Sequence, residues 1–239
     1  MADLHFAIRP IELADALYNA VVLSQEHGGK PGSPHVLICY QQGAGGAATG
    51  AVLVYGASRL VAGKTTIALE TQAPDDYASV VIDREYADKV QSMLRGFGRA
   101  KATQVGVRIC EEGYDTVEFS EDGEPEVRTV NFSIAKGEEV LVELADSDPD
   151  GESLKYFDIV DEWAGTGAAL TGPTAFIFEA VKRVCSLKGL GATMMDLGQT
   201  VRPHVVAISA GPNFRGILGE IDREVYAGPD GARADHLLN

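Results

Sequence analysis

Apolar and polar residues alternate over 3–9 (DLHFAIR), the period-two signature of a short strand. Pro10 then opens a helical pattern, since a first-turn proline gives up no helical hydrogen bond. Leu13, Leu17, Ala20, Val21 and Ser24 recur at helical spacing until Gly28-Gly29. HVLICYQQ (35–42) reads as a strand, GAGGAATG as a glycine-rich connection, and AVLVYGAS, RLVAG and TTIALE as further β-structure. The cycle restarts at Ser79. SVVI predicts a strand, Asp83 a helix N-cap, and Tyr86, Val90, Met93, Leu94 and Phe97 one apolar helical face. TQVGVRICEE, DTVEFS, VRTVNFSI and EEVLVELA follow as strands joined by acidic turns. ADSDPDGES (145–153) is a charged linker bearing Pro and Gly. Beyond it, Thr174 to Lys188 is helical, with Ile177, Ala180, Val181 and Val184 inward. ATMMDLG, HVVAISA and FRGILGEI are strands, and AGPDGARADHLLN is a loose tail.

One helix followed by a run of antiparallel strands therefore occurs three times, at roughly 75–80 residues per cycle, as a repeat of structure and not of sequence. The pattern predicts an α+β fold of repeated helix-plus-strand halves. Residues 1–147 are expected to form a complete domain from two halves, 3–73 and 76–145. Residues 148–239 are expected to supply a linker, a half-size domain and a C-terminal tail.

The 239 residues, 45% of them hydrophobic, suffice for a core of that size. A net charge of −15 repels nucleic acid and anionic membranes overall, so contact with DNA would need a local basic patch. Cys39, Cys110 and Cys185 are scattered, without CxxC spacing, and read as reduced thiols of a cytoplasmic protein. Together with five scattered His they give no ligand cluster, so no metal is expected. MADLHFAIRP has no basic stretch before an apolar run, which predicts no leader peptide. No run of 18 apolar residues is present to span a membrane.

Gly63-Lys64-Thr65 ends like a phosphate-binding loop. That loop needs a glycine at position 58, where Ser58 stands. The following Thr-Thr-Ile-Ala-Leu favours a strand over a phosphate-capping helix. The expectation is a hairpin turn at Ala62-Gly63, with no nucleotide on Lys64. Gly43-Ala-Gly45-Gly-Ala-Ala48 fits a loose dinucleotide pattern, but Thr49-Gly50 interrupts before the helix this pattern needs. GxSxG is absent, and His204 reads as a partly buried strand residue. No catalytic residue and no cofactor is predicted.

Charge is unevenly spread. Residues 111–152 contain fifteen Asp or Glu but two basic residues, Arg128 and Lys136. The second helix is opposite in sign. Arg84, Lys89, Arg95, Arg99 and Lys101 stand against Glu85 and Asp88, and Arg84, Arg95 and Arg99 share one face at about 100° per residue. The third helix carries Lys182, Arg183 and Lys188 against Glu179. Two basic helices on an acidic chain concentrate positive field.

Repeated strand, helix and strands, with acidic sheets and basic helices, resembles the bacterial DNA polymerase III β sliding clamp family. VLVYGASRLVA resembles the family's strand pair with its "atDxxRLa" segment, here Arg59-Leu60. SVVIDREYADKVQSML resembles the segment opening the second half of a clamp domain. KYFDIVDEW resembles the interdomain "fPdy" segment, with Phe157 in place of Pro. RPHVVAISAGPNFRGILGEI resembles the closing strands, with Leu218-Gly219 in place of Met-Pro. The resemblance implies a sliding-clamp fold with sheets outside and helices inside, and no chemistry. It implies sequence-neutral phosphate contacts to double-stranded DNA through Arg84, Lys89, Arg95, Arg99, Lys101, Lys182 and Arg183. It also implies self-association into a homo-oligomer. A DNA polymerase or other partner would insert a short peptide into an apolar groove of Leu60, Phe157, Ile217 and Leu218, with Arg59 at the rim. The family has three domains of two halves each. This chain supplies three halves, so four copies would give the twelve of a full ring. The first helix departs from a DNA-lining one, because Glu12, Asp15 and Glu26 make its outer face acidic. That departure leaves open a clamp-fold interaction module that does not encircle DNA. A nucleotide-binding enzyme using the glycine-rich loops and Lys64 is the remaining alternative.

Overall fold

The computed structural model describes residues 4–26, 32–41, 50–58, 60–69, 78–99, 105–111, 128–134, 143–145, 154–162, 168, 170, 176, 178–191, 194–202 and 204–219. The elements run β1 (Leu4–Ile8), α1 (Pro10–Leu23), β2 (His35–Gln41), β3 (Ala51–Ala57), β4 (Val61–Ala68), β5 (Ala78–Asp83), α2 (Arg84–Arg99), β6 (Val105–Glu111), β7 (Arg128–Ile134) and β8 (Glu143–Ala145). They continue with α3 (Leu154–Glu162), α4 (Phe178–Cys185), β9 (Asp196–Gln199), β10 (Val205–Ala210) and β11 (Phe214–Gly219).

Two antiparallel sheets form, with orders β1-β6-β7-β8 and β5-β2-β3-β4-β11-β10-β9. The first strand of each early half is traded. β1 lies on β6 of the second half, with Leu4 opposite Ile109, and β5 lies on β2 of the first, with His35 opposite Asp83. Each half thereby completes the other's sheet. The third half joins differently. β11 pairs with β4, Arg215 opposite Lys64, so the long sheet runs unbroken from the first half into the third.

Successive residues of a strand point to opposite faces, and both faces of the long sheet are covered. Val36, Ile38, Tyr40, Val52, Val54, Val80 and Ile82 join Leu13, Leu17 and Ala20 of α1 and Val90 and Leu94 of α2 in one core. The alternate residues Leu37, Cys39, Leu53, Tyr55 and Val81 face the other way, against Phe157 and Val160 of α3. On the α1 side the core continues under α4, where Leu60, Val61, Ile208, Phe214 and Leu218 meet Ala180 and Val184. Thus α1 lies centrally over β3 and β4, flanked by α2 over β2 and β5 and by α4 over β10 and β11. A helix so enclosed is apolar nearly all round. Leu13, Ala14, Ala16, Leu17 and residues 20–23 of α1 are all buried. Its close approach to β3 depends on Gly56, where a Cβ would lie 2.1 Å from the Ala20 carbonyl oxygen.

Several expectations are corrected. Gly63-Lys64-Thr65 is not at a turn but inside β4, paired on both sides with β3 and β11. The chain reverses before it, where Ser58 N–H donates to the Val61 carbonyl at 2.8 Å. Gly63 is required by packing, since a Cβ there would lie 2.6 Å from the Phe214 ring. KYFDIVDEW contributes a helix, α3, that the linker pattern does not predict. The described part of the third helix is Phe178–Cys185. Tyr86 is 49% exposed and lies outside the core face of α2. His204 is an exposed residue with φ 60° just before β10, not a strand residue. DTVEFS, the loop at 43–48 and most of the acidic segment lie outside the described residues.

Candidate functional site

Arg84 and Arg95 of α2, Arg183 of α4 and Lys188 just after it turn toward α1 or the chain at its end. Arg95 Nη2 donates to Asp15 Oδ1 at 2.9 Å, and its guanidinium lies 5.0 Å from the centre of the Tyr18 ring. The Lys188 ammonium lies 3.9 Å from the same ring. Burial raises the Asp15 pKa, although the Arg95 and Lys188 charges oppose the rise. At the other end of α1, Arg84 Nη1 donates to the Ser24 carbonyl at 2.6 Å. Arg183 Nη1 donates to the Gln25 carbonyl at 2.7 Å, and Arg183 Nη2 donates to the Glu26 carbonyl. A helix ends in carbonyls without intrahelical donors, at the negative pole of its dipole. α1 has no basic residue in its last turn, so the Arg84 guanidinium supplies a donor to its C-cap carbonyl, and Arg183 holds the two carbonyls that follow. Burial pulls the Arg183 pKa down. The Glu179 carboxylate opposes that shift, and the Arg84 charge adds to it.

Arg84 and Arg95 do share a helix face, but that face meets α1. These two and Arg183, all half-buried, spend hydrogen bonds on α1 and the chain just past it, a structural role that the expectation of DNA contact did not include. Lys89 and Lys182 are exposed, with the Lys89 ammonium 4.9 Å from the Tyr86 ring centre. Arg99 ends α2 with its side chain outside the described residues, and Lys101 lies wholly outside them. Among the described residues, the layer's exposed carboxylates Glu12, Glu85, Asp88 and Glu179 outnumber its exposed lysines.

The expected peptide groove divides between two faces. Leu60 and Leu218 fill the core under α4, while Phe157 and Ile217 belong to the cluster under α3. Ile217 and Leu218 are neighbours in β11 and so must point apart. The single pocket of Leu60, Phe157 and Leu218 is therefore not formed. Arg59 lies outside the described residues. What exists on the α3 side is an open cavity of about 240 Å³ lined by Leu37, Cys39, Gln41, Leu53, Tyr55, Phe157 and Asp161. Phe157 packs edge-on to Tyr55, ring centres 6.1 Å apart. The Tyr55 hydroxyl donates to Asp161 Oδ2 at 2.9 Å, and the Lys64 ammonium pairs with Asp161 Oδ1. Lys64 thus clips α3 to the sheet. Asp161 escaped the sequence reading; the signal was the apolar pair Phe157 and Val160 at helical spacing beside it. Among the described residues no group of three His, Cys, Asp or Glu could hold a metal ion. No described helix is long and apolar enough to cross a membrane.

No protein-family model and no curated protein sequence matches the chain. Solved structures do match. The DNA polymerase sliding clamp of Bacillus subtilis aligns with a TM-score of 0.55 at 9% identity. The DNA polymerase III β subunit of Thermotoga maritima aligns at 0.52 and 11%. A DnaN sliding clamp of Pseudomonas aeruginosa bound to griselimycin aligns at 0.53 and 11%. Each match covers 92% of this chain but 65% of the clamp, so the chain spans less than two thirds of a solved clamp's length. At such identities the likeness concerns architecture. The fold of this α+β chain is that of the DNA polymerase III β sliding clamps.

Proposed function

We propose that the chain is a cytoplasmic clamp-type tether without chemistry of its own. Copies associate around duplex DNA with the helix layer inward, and the opposite sheet face holds a DNA polymerase or other DNA-processing partner. The observation supporting this reading is the long continuous sheet with α1, α2 and α4 on one face and the α3 cavity on the other. A ring retains DNA by topology and needs few direct contacts. Exposed Lys89 and Lys182 suit weak, salt-dependent and sequence-neutral contact with phosphates. The cavity beside Phe157 and Asp161 suits an apolar side chain of a partner peptide with a basic neighbour.

The test is retention on linear duplex with both ends blocked by a bulky protein after threading, compared with open ends. Encirclement gives salt-resistant retention with blocked ends and release from open ones, and Lys89→Glu accelerates release from open ends. Equal release from both substrates overturns the ring. The exposed carboxylates of the helix layer favour a second reading, a clamp-fold interaction module that does not encircle DNA. That module gives no retention on either substrate while still binding partner peptide.

A further inference from the structure

The first two halves protect each other. α1 packs along α2, and each half lends its first strand to the other's sheet. The third half has α1 along one flank of α4 and, among the described residues, no helix along the other. At about 100° per residue, Phe178, Val181 and Cys185 form one stripe about 60° wide on α4. Ala180 and Val184 point into the core, Val181 at one edge of the stripe packs against that core, and Arg183 reaches the chain just past α1, so Phe178 and Cys185 form the outward part of the stripe, away from α1. Phe178 is 75% exposed, Cys185 is exposed and Val181 is half-buried.

We propose that a second copy of this chain covers the stripe with its own. Two third halves meet across a twofold axis, α4 against α4, and complete between chains the domain that halves one and two complete within one. The pairing of α1 with α2 shows what covers this flank elsewhere in the molecule. An antiparallel pair centred between Val181 and Lys182 sets each Phe178 over the small Cys185 of the other copy. The outer edge of β9 is already met by its own chain, where Gln199 N–H donates to the Ala168 carbonyl at 2.9 Å. The contact between copies therefore rests on the helices. Two chains joined this way hold three complete domains. This pairing specifies how copies of the proposed ring associate, and it can stand or fall apart from DNA encirclement.

The experiment is sedimentation of the full chain from low to high micromolar concentration, with a cross-linking variant beside it. Wild type dimerises, and Phe178→Asp weakens dimerisation by about a hundredfold, because each copy then buries a charge in place of its largest apolar contact. Circular dichroism and melting of Phe178→Asp stay as in wild type, because the residue is exposed. F178C gives a covalent dimer on mild oxidation, and adding C185S abolishes it. Wild type that stays monomeric, or a dimer indifferent to Phe178→Asp, overturns the proposal. Blocked-end DNA retention unchanged in Phe178→Asp also overturns this contact while leaving the ring intact. A dimer lost in Phe178→Asp together with no DNA retention in wild type supports the contact and sinks the ring.

Discussion

Asn19→Leu tests whether a polar joint fixes the third half to the first. Asn19 is fully buried in an otherwise apolar stretch of α1. Its Oδ1 accepts from the Lys188 N–H at 2.8 Å, and its Nδ2 donates to the Lys188 carbonyl at 2.9 Å and to Thr65 Oγ1 at 3.2 Å. One side chain thus ties the backbone after α4 to α1, and α1 to β4. Each bond contributes about 1 kcal/mol net, and a buried group left without its partner costs about 1–3 kcal/mol. Leucine fills nearly the same volume, so little cavity forms. Lys188 is half-buried and its backbone can regain water, so the low end applies there. The sum is roughly 3–4 kcal/mol. With a urea slope of about 2 kcal/mol per molar, the midpoint should fall by roughly 1.5–2 M. A local readout separates the joint from general destabilisation: exchange of the Lys188 amide should accelerate more than that of amides in β2 and β3. A loss below about 1 kcal/mol with unchanged Lys188 exchange would refute the reasoning and leave apolar contact as the glue.

The Asp15 pKa is raised by burial, against the Arg95 and Lys188 charges. Its contribution to stability is therefore full below the ordinary value of 3.8 and is lost as pH rises through the folded value. The stability of wild type relative to Asp15→Asn should accordingly fall as pH rises from the acid range to neutrality. Urea midpoints moving in the opposite sense would contradict this. Phe157 is 1% exposed, and Phe157→Ala should cost about 3–5 kcal/mol. It should also release α3 to protease within 154–162 under conditions where the wild-type segment survives. A cost below about 1 kcal/mol would show that α3 does not cap the sheet.

The helix-and-strand cycle was legible because period two and period 3.6 are local properties. The seam between β4 and β11 was not, since nothing in VAGKTTIA or FRGILG names a partner far away in sequence. α3 was more legible than the sequence reading allowed. HVLICY has apolar residues on both alternating faces, the mark of a strand buried on both sides. A sheet with helices on one face then needs a cover on the other, and Phe157 and Val160 supply it. The groove failed for a reason the sequence did contain, since Ile217 and Leu218 are adjacent in a strand and cannot line one pocket. The helical wheel located the shared face of Arg84 and Arg95 but not its direction. A wheel says which side chains point together, never toward what.

That direction changes how charge on this molecule should be interrogated. Apart from the exposed Glu12, the polar groups of α1 are Asp15, Tyr18 and Asn19, together with the carbonyls at and just past its end. Each is matched by a group from a neighbour: Arg95, the side chain and backbone of Lys188, and the guanidinium groups of Arg84 and Arg183. Much of the apparent basicity of α2 and α4 is thus the counter-charge of a buried helix. Reversing Arg84, Arg95 or Arg183 to Glu would set a carboxylate against carbonyls or against Asp15, and the helix layer would loosen before any ligand was tested. Loss of DNA retention in those variants carries no information about an interface. Lys89 makes no such structural bond to α1, and its exposed ammonium group can be reversed while the layer stays closed; Lys182 lies at the centre of the proposed α4 contact, so its reversal is read together with the oligomeric state. Among the described basic residues of α2 and α4, Lys89 is the one whose reversal lets a change in retention report on what faces the helices.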